Sequence, residues 1–411
     1  MRDYAIVTGT YWAFTLTDGA LRMLVLLHLH QLGYAPLEIA SLFLFYELFG
    51  VVTNFVGGWL GARFGLKSIL VVGVALQVAA CGGLAAFAGA LSLPVVLVAQ
   101  ALSGTAKDLV KTSSKSYVKL VVPPGDARRL LRWVSVLTGS KNSLKGAGFF
   151  LGGAALGAFG FRDTCAGMAG GLVLALLLAA ATLPRAAGRM KQRPGLSQLI
   201  ARDARVNWLA AARFFLFGAR DVWFVLALPV FLASQLGWSH GEVGGFLAAW
   251  VIGYGFVQAS APAWVGGRGA VAGSPGAGSL LAWTTALLAP VGVLLVGLAA
   301  GWAVVPTLVA GLAAFASVFA ANSALHSFLI VHYAEGEKVA LNVGFYYSSN
   351  AAGRLVGTLL SGGLYQAAGE GLGGLQACLL GSLLFVAASA ALCIPLRAAE
   401  GRRLAAPTAP K

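Results

Sequence analysis

Long apolar segments separated by short polar connections run along the whole chain. We predict twelve helices, over residues 5–30, 37–60, 68–89, 93–114, 133–158, 164–184, 207–233, 242–265, 279–300, 303–331, 339–365 and 372–396. A helix rises about 1.5 Å per residue and needs about 20 residues to cross the hydrocarbon core of a bilayer. The pattern therefore predicts an all-α integral membrane protein with twelve transmembrane helices.

Two parts of the chain repeat each other. "QLGYAPLEIA" at 31–40 and "QLGWSHGEVG" at 235–244 share Gln, Leu, Gly, an aromatic, Glu and a β-branched residue in register. A second repeat pairs Lys145, Gly148, Leu151 and Gly153 with Arg354, Gly357, Leu360 and Gly362. We therefore predict two pseudo-symmetric six-helix halves, at 1–184 and 207–397. A basic cytoplasmic linker at 185–206 joins the two halves, and a cytoplasmic tail follows at 398–411. The segment "LSQLIARDARVNWL" in the linker is either an interfacial helix or a solvated linker.

Composition supports a membrane protein, since 58% of the residues are hydrophobic and only 10% are charged. About a quarter of the residues in a soluble domain are charged. The net charge of +15 is confined mainly to short gaps between apolar segments, with no basic stripe interleaved with exposed aromatic residues. This distribution argues against nucleic-acid binding.

The basic residues between helices predict the orientation. Arg162 alone falls on the side opposite the N-terminus, and twenty basic residues fall on the N-terminal side: Arg2, Arg63, Lys67, Lys115, Lys119, Arg128, Arg129, Arg132, Arg185, Arg189, Lys191, Arg193, Arg202, Arg205, Arg268, Lys338, Arg397, Arg402, Arg403 and Lys411. Cytoplasmic loops are enriched in Lys and Arg. Both termini are therefore predicted to be cytoplasmic.

The remaining eight basic residues fall inside predicted helices: Arg22, Lys107, Lys111, Lys141, Lys145, Arg213, Arg220 and Arg354. A cation at the bilayer centre costs about 2.5–3.5 kcal/mol on insertion scales, so these side chains should face a protein-lined or watery interior. The carboxylates expected to pair with them or to carry a coupling proton are Asp18, Glu47, Asp108 and Asp221. The excess of positive charge predicts a polyanionic solute.

We predict that six of these cations contact the substrate: Arg22, Lys107, Lys141, Lys145, Arg220 and Arg354. Polar neighbours on the same two helices are candidate hydrogen-bond donors to the substrate, with bridging between helices as the alternative: Asn142, Tyr346, Tyr347 and Asn350.

Three further expectations concern how the charged and polar side chains are placed. Lys111 and Arg213 lie near cytoplasmic helix ends and are expected to snorkel. The neighbours Arg220 and Asp221 point about 100° apart, so each is expected to pair with another helix. His326 is expected near a span end, where a histidine anchors or makes hydrogen bonds at the interface.

Enzyme chemistry has no signature in the sequence. No phosphate-binding loop, Ser-His-Asp set or metal-ligand cluster stands out, and Cys81, Cys165, Cys378 and Cys393 are scattered through apolar segments. We therefore expect no cofactor and no metal, and predict a secondary transporter driven by a gradient. A membrane enzyme or sensor acting on an anionic lipid is the alternative from another class.

The segment "GWLGARFGLKSIL" at 58–70 resembles the loop signature of the major facilitator superfamily. Gly58, Arg63, Gly65 and Lys67 match the signature, whereas Ala62 stands where the family usually has aspartate. "GFFLGG" at 148–153 resembles the antiporter signature, with Phe149 in place of its proline. The resemblance implies the major facilitator fold and a conformational role for the 58–67 loop.

A narrower resemblance covers most of the first half. "YWAFTLTDGALRMLVLLHLHQLGY", "FLFYELFGVVTNFVGGWLGARFG", "AQALSGTAKDLVK" and "LTGSKNSLKGAGFFLGG" are similar to the ArsJ family of permeases. That resemblance implies export of 1-arsono-3-phosphoglycerate, which glyceraldehyde-3-phosphate dehydrogenase forms when it uses arsenate, and hence arsenate resistance at a bacterial inner membrane. The dehydrogenase would be a functional partner without direct contact.

The charged residues inside the helices also bear on the coupling ion and on the kind of cargo. Proton antiport is the expected coupling, with Asp18 either holding Arg22 in position or accepting the proton. Arsenite is disfavoured as direct cargo because trivalent arsenic prefers thiolate ligands, and the cysteines are dispersed. An exchanger of ordinary phosphate esters or other organic anions is the alternative.

Overall fold

The computed structural model describes residues 2–31, 36–184, 187–190, 203–265, 275–334 and 338–405, without the side chains of residues 26–48, 240 and 404. The α-helices are α1 (Arg2–Gln31), α2 (Pro36–Phe64), α3 (Leu66–Ala86), α4 (Leu93–Val121), α5 (Ala127–Thr182), α6 (Ala204–Phe224), α7 (Ala227–Ser234), α8 (His240–Ser260), α9 (Ala277–Ala286), α10 (Leu288–Ala299), α11 (Val304–Tyr333), α12 (Val339–Ala367) and α13 (Gly371–Ala405). The described residues form helices and connections without a β-strand, which confirms the predicted all-α class.

Eight segments in the described part of the chain are long and apolar enough to cross a membrane: Leu66–Ala86, Leu93–Val121, Ala127–Thr182, Ala204–Ser234, Gly241–Ala263, Ala277–Ala299, Val304–Tyr333 and Gly371–Arg403. The 56 residues of α5 form two segments, because Gly160 interrupts the helix with φ 74° and ψ 175°. Helices α1, α2 and α12 have 30, 29 and 29 residues and are also of membrane length. The described helices thus supply the twelve segments that the apolar pattern predicts.

Several boundaries differ from the predicted ones. Helix α4 continues to Val121 instead of ending at 114, and α5 begins at Ala127 instead of 133. Both extensions contain basic residues, which a hydropathy pattern assigns to loops although such residues can continue a helix beyond its apolar segment. The segment 196–209, which could form an interfacial helix, lies mostly outside the described residues.

The chain divides into two compact units. Unit 1 comprises Met1–Asp126, Ser140–Ile200 and Ala334–Ser348, and unit 2 comprises Ala127–Gly139, Ala201–Tyr333 and Ser349–Lys411. Helices α5 and α12 therefore each contribute residues to both units. The sequence boundaries at 1–184 and 207–397 stay a prediction.

In unit 1, helix α4 packs against α1, α2 and α3. Small residues allow close approach: a Cβ added to Gly73 of α3 would lie 2.7 Å from a methyl carbon of Val110 and 3.1 Å from the Ala106 carbonyl oxygen on α4. Close packing of small residues replaces the hydrophobic effect as a driving force between helices in lipid. Because the helices do not depend on an apolar interface to associate, the interior of unit 1 can hold polar side chains on α1 and α4.

Unit 2 has a core of aromatic side chains from α6, α8 and α11. The ring of Trp223 lies 5.2 Å from that of Phe315 and 5.8 Å from that of Trp250, and both pairs are edge-to-face. Phe217 and Phe319 lie 5.0 Å apart. Such pairs contribute about 0.5–1.5 kcal/mol each beyond burial, so this core fixes α6, which carries two charged residues of the predicted site.

Polar caps fix several helix ends of unit 2. Asp203 accepts a hydrogen bond from the Arg205 amide at 2.8 Å and another from its guanidinium at 2.6 Å. Burial raises the pKa of the Asp203 carboxyl, but the hydrogen bonds and charge of Arg205 outweigh it and hold that pKa below its ordinary value. Glu400 of α13 accepts hydrogen bonds from the Ala277 amide at 2.9 Å and the Tyr333 hydroxyl at 2.7 Å, so it ties α9 and α11 to α13.

Candidate functional site

A buried carboxylate in unit 1 lies among four cations. Asp18 of α1 is 4% exposed, and its carboxylate oxygen lies 3.9 Å from the Arg22 guanidinium one turn further along the helix. Asp18 also interacts electrostatically with Lys145, Lys107 and Lys141, which are contributed by α5 and α4. We call Asp18 and these four cations the unit 1 cluster. The structure thus brings together five of the residues that the sequence predicts for the site.

Glycines explain why α1 and α5 place their charges so close together. A Cβ added to Gly19 would lie 2.6 Å from the Lys145 carbonyl oxygen, and one added to Gly148 would lie 2.5 Å from the Leu16 carbonyl oxygen. The helix backbones are therefore in direct contact at the level of Asp18. Lys145 lies on α5 at this contact, where its ammonium is 5.8 Å from the centre of the Phe149 ring.

The unit 1 cluster has an excess of positive charge. Among the described side chains, four cations surround one carboxylate. The side chain of Glu47 lies outside the described set, but even an ionised Glu47 in this cluster would leave two positive charges in excess. Guanidinium and ammonium groups bind oxyanions through charge-assisted hydrogen bonds, so the cluster can bind a multiply charged anion.

A second group of charges in unit 1 surrounds Tyr347. Asp108 of α4 is 1% exposed, lies 2.6 Å from the Lys111 ammonium and accepts a hydrogen bond from the Thr53 hydroxyl at 2.9 Å. Lys115 is hydrogen-bonded to the Tyr347 hydroxyl, and both lysine ammoniums lie under 5 Å from the centre of the Tyr347 ring, at 4.7 and 4.6 Å. Lys111 therefore forms an ion pair and does not simply snorkel.

The sequence prediction misplaced Lys115. It was expected in a cytoplasmic loop, but it lies in α4 and is only 2% exposed. The hydroxyls and the ammonium of 112–117 are buried inside unit 1, and this polar stretch continues the helix beyond the apolar segment. A stripe of Asp108, Lys111 and Lys115 at helical spacing is the signal that could have placed it inside.

In unit 2, a buried carboxylate is shared by two arginines. Asp221 of α6 is fully buried and accepts a hydrogen bond from Arg220 Nε at 2.7 Å and from Arg354 Nε of α12 at 2.9 Å. The expectation that Arg220 and Asp221 each pair with another helix is wrong for Arg220. Its long side chain folds back onto its neighbour, which the angle between their Cβ directions does not prevent. Arg354 supplies the partner from another helix that was expected for Asp221.

The contact between α6 and α12 repeats the contact between α1 and α5. A Cβ added to Gly357 would lie 2.6 Å from the Gly218 carbonyl oxygen and 3.1 Å from Asp221 Cβ. Gly357 and Arg354 are the residues that the sequence repeat matches with Gly148 and Lys145. In each unit, a glycine contact therefore places a cation of one helix near a buried aspartate of the other.

Arg213 lies in a buried polar network of unit 2 and does not snorkel as expected. Its side chain is 3% exposed, donates to the Asn350 amide oxygen at 2.8 Å and lies 3.6 Å from the centre of the Phe217 ring. Ser323 Oγ lies 3.5 Å from the same guanidinium and accepts a hydrogen bond from Gln258 at 2.9 Å. Asn350, predicted to bind substrate, thus engages a protein side chain in this structure.

The remaining polar candidates differ in how far they are buried. His326 was expected near a span end, but it is fully buried in α11, in the electrostatic field of Arg213. Tyr346 is fully buried with its ring 5.0 Å from that of Tyr347. Asn142 is partly buried on α5 beside Lys141. Substrate contact by Asn142, Asn350 and Tyr346 stays a prediction.

The matched residues of the 58–67 segment each have a packing role, and only Gly65 lies between helices, since Gly58 and Arg63 belong to α2 and Lys67 to α3. The conformational role of this segment stays a prediction. Gly65 has φ 93°, which favours glycine at the turn between α2 and α3. A Cβ added to Gly58 would lie 2.6 Å from the Ala340 carbonyl oxygen, so glycine allows the backbones to approach closely there. Lys67 donates a hydrogen bond to the Leu183 carbonyl at 2.7 Å, at the end of α5, and the Arg63 guanidinium lies 4.9 Å from the centre of the Trp59 ring.

All four cysteines are free and fully buried. Across the described residues, no group of three or more His, Cys, Asp or Glu side chains has a geometry that could hold a metal ion.

Comparison with known proteins supports one family. The chain matches the Major Facilitator Superfamily over residues 7–327. It is similar in fold to a bacterial homologue of the iron transporter ferroportin in its outward-facing state, with a TM-score of 0.76, 15% identity, and coverage of 97% of this chain and 100% of that one. No protein with a curated description matches the chain.

Two further solved structures share the fold. A single-residue variant of the Escherichia coli fucose:proton symporter FucP has a TM-score of 0.72 at 15% identity, covering 96% of this chain and 98% of its own. The human organic anion transporter MFSD10 (TETRAN) has a TM-score of 0.72 at 16% identity, covering 96% and 100%. Because the family match covers more than half of the sequence, the chain belongs to the major facilitator superfamily of secondary transporters.

Proposed function

We propose that this transporter exports 1-arsono-3-phosphoglycerate from the cytoplasm in exchange for protons and thereby confers resistance to arsenate. The observation that carries the proposal is the unit 1 cluster, where four cations surround one described carboxylate. The cargo carries an arsonate at one end and a phosphate at the other. A site for such an anion needs several cations within reach of separated oxyanions.

The resemblance to the ArsJ family falls on this cluster. "YWAFTLTDGALRMLVLLHLHQLGY" contains Asp18 and Arg22, "AQALSGTAKDLVK" contains Lys107, and "LTGSKNSLKGAGFFLGG" contains Lys141 and Lys145. The segments that suggest the cargo are therefore the ones that bring the cations together. The likeness in fold to an organic anion transporter agrees with an anionic cargo.

Oxyanion contact in unit 2 is assigned to Arg220 and Arg354. The two guanidiniums share the single carboxylate of Asp221, which leaves one positive charge in excess. Arg354 is 28% exposed and Arg220 is 15% exposed at the side chain, so neither guanidinium is sealed from solvent. Asp221 serves as the group that holds both arginines in position.

Proton coupling is assigned to Asp18. The ionised Asp18 carboxylate holds Arg22 in position for the cargo anion, and protonation of Asp18 would remove this ion pair, so cargo binding and proton binding oppose each other at the same cluster. Protons entering from the outer face would protonate Asp18 as cargo is released. The fucose:proton symporter of similar fold is an example of a proton-coupled protein.

Everted membrane vesicles test this function. The cargo is generated outside the vesicles from glyceraldehyde-3-phosphate, arsenate and NAD by glyceraldehyde-3-phosphate dehydrogenase, because the arsenate ester hydrolyses readily. Vesicles carrying the chain should accumulate labelled cargo only while the dehydrogenase is active and an inside-acid pH gradient is present. Equal accumulation in vesicles without the chain would refute export.

Charge-removing variants test the site. Lys145→Gln and Arg22→Gln should each lower the rate at low cargo concentration by roughly 10–100-fold, since a hydrogen bond to a charged group contributes about 1.5–3 kcal/mol. Arg162→Gln is the matched control, because Arg162 is exposed and lies outside the unit 1 cluster. Full activity of both cluster variants would refute the site assignment.

Ordinary phosphate esters provide the comparison for cargo identity. An excess of 3-phosphoglycerate should compete only weakly, because it lacks the arsonate group. Uptake of labelled 3-phosphoglycerate at the same rate as the arsenical would instead identify an exchanger of ordinary phosphate esters.

A further inference from the structure

Helix α1 carries a continuous stripe of polar side chains: Tyr4, Thr8, Tyr11, Thr15, Asp18 and Arg22. The spacing alternates between four and three residues, so all six lie on one face of the helix. The stripe extends over about 27 Å from its first to its last residue. It connects Asp18 with the helix end that the sequence predicts to be cytoplasmic.

The stripe faces the interior of unit 1. Thr8, Tyr11, Thr15 and Asp18 are all buried. The Thr15 hydroxyl donates to the Tyr11 carbonyl at 2.7 Å, so it has a partner within the helix. The Tyr11 side chain is 2% exposed, and its hydroxyl makes no hydrogen bond to any residue that the structure describes.

A buried hydroxyl without a protein partner is unfavourable, and such groups in proteins commonly bind water. The Tyr11 hydroxyl is thus available to exchange hydrogen bonds with water and other mobile groups.

The titratable groups around Tyr11 come from three helices. Tyr11 interacts electrostatically with Asp18 of α1, Asp108 of α4 and Tyr347 of α12, all within unit 1. Asp108 is bound by Lys111 and Thr53, and Tyr347 is bound by Lys115. Asp18 faces the four cations of the unit 1 cluster: Arg22, Lys107, Lys141 and Lys145. Tyr11 is therefore a buried hydroxyl that interacts with the carboxyl groups of both Asp18 and Asp108.

We propose that the Tyr11 hydroxyl relays protons, through water, between Asp18 and the Asp108 carboxylate. A proton leaves the Asp18 carboxyl and binds the phenol oxygen of Tyr11. At the same time the phenol's own proton passes, through water, to the Asp108 carboxylate. Only O–H bonds form and break, and the phenol is neutral before and after the step. The inference rests on the proton coupling of the proposed function and assigns its path.

Tyr11→Phe is the test, because it removes the hydroxyl and keeps the ring. Everted vesicles with an inside-acid gradient and a pH-sensitive dye report proton efflux when the dehydrogenase generates cargo outside. Tyr11→Phe should lower cargo-dependent proton efflux and the maximal rate of cargo entry by about tenfold or more, with KM unchanged. Lys145→Gln should instead raise KM.

Tyr117→Phe is the matched control. Tyr117 lies on α4 in the same unit, is buried to the same extent, and its hydroxyl also has no partner among the described residues. Its electrostatic neighbour is Asp3, so it lies away from Asp18 and Asp108. Tyr117→Phe should transport protons and cargo at wild-type rates. The melting temperature of Tyr11→Phe should equal or exceed that of the wild type, which separates a relay from a structural role.

The outcomes distinguish the relay from the cargo. Wild-type proton efflux and cargo entry in Tyr11→Phe would overturn the relay, as would cargo entry into wild-type vesicles without proton movement. Proton efflux driven by 3-phosphoglycerate but not by the arsenical, and lost in Tyr11→Phe, would overturn the proposed cargo and support the relay.

Discussion

Replacing Gly148 with alanine tests the contact that assembles the unit 1 cluster. The added Cβ would lie 2.5 Å from the Leu16 carbonyl oxygen and 3.1 Å from the Ala20 amide nitrogen, both backbone atoms of α1. Real Cβ atoms essentially never approach a neighbour within 3.0 Å, so the first distance must lengthen by at least 0.5 Å. Neither helix backbone can move aside as a flexible side chain would, so α1 and α5 must separate.

The expected cost follows from the geometry. Overpacking of this kind costs about 1–3 kcal/mol. Gly157→Ala on the same helix is the matched control, because its Cβ would meet nothing within 4 Å. Alanine in an unobstructed helix position is more stable than glycine by about 0.5–1 kcal/mol. The two variants should therefore differ by about 1.5–4 kcal/mol.

Thermal unfolding in detergent, followed by tryptophan fluorescence, measures the difference. A chain of this length should show Gly148→Ala melting about 2–5 °C below Gly157→Ala. The same separation of α1 from α5 moves Lys145 away from Asp18, so cargo entry should also fall in Gly148→Ala. Equal melting temperatures and equal transport in the two variants would refute direct backbone contact between the helices.

Three further variants test ion pairs and caps. Asp221→Asn should lower stability by about 3 kcal/mol because it leaves two guanidiniums without a carboxylate, and adding Arg354→Gln should recover part of the loss in melting temperature. Tyr347→Phe should cost about 1–3 kcal/mol in thermal unfolding, since the buried Lys115 ammonium loses its phenol partner. Glu400→Gln should cost about 0.5–2 kcal/mol and speed proteolysis of the end of α13, and an unchanged cleavage rate would contradict its role as a cap.

The sequence predicts the helices well because the bilayer imposes a length on each apolar segment. It also predicts the equivalence of Lys145 with Arg354 and of Gly148 with Gly357, because a repeat in sequence produces the same helix contact in each unit. The burial of Asp18 and Asp221 follows from the cost of exposing a charge to lipid. These features depend on one helix or on one repeated contact.

Other features depend on which helices are neighbours, and spacing along one helix does not contain that information. The buried position of Lys115 requires Tyr347, which lies 232 positions away in the sequence. The burial of Arg213 requires Asn350 and Ser323, and the fully buried His326 interacts in turn with Arg213 of α6. The pairing of Arg220 with Asp221 depends on a rotamer, which Cβ directions leave open.

Because the four thiols are buried, we expect the folded chain to react only slowly with alkylating reagents. Cys81 lies on α3, Cys165 on α5, and Cys378 and Cys393 on α13, so each would be labelled only when its own part of the bundle opens. A cysteine introduced at a chosen position, such as Arg22 or Arg354, could then be modified selectively without first removing the native ones. Protection of that single site by added anions would map ligand contacts one residue at a time.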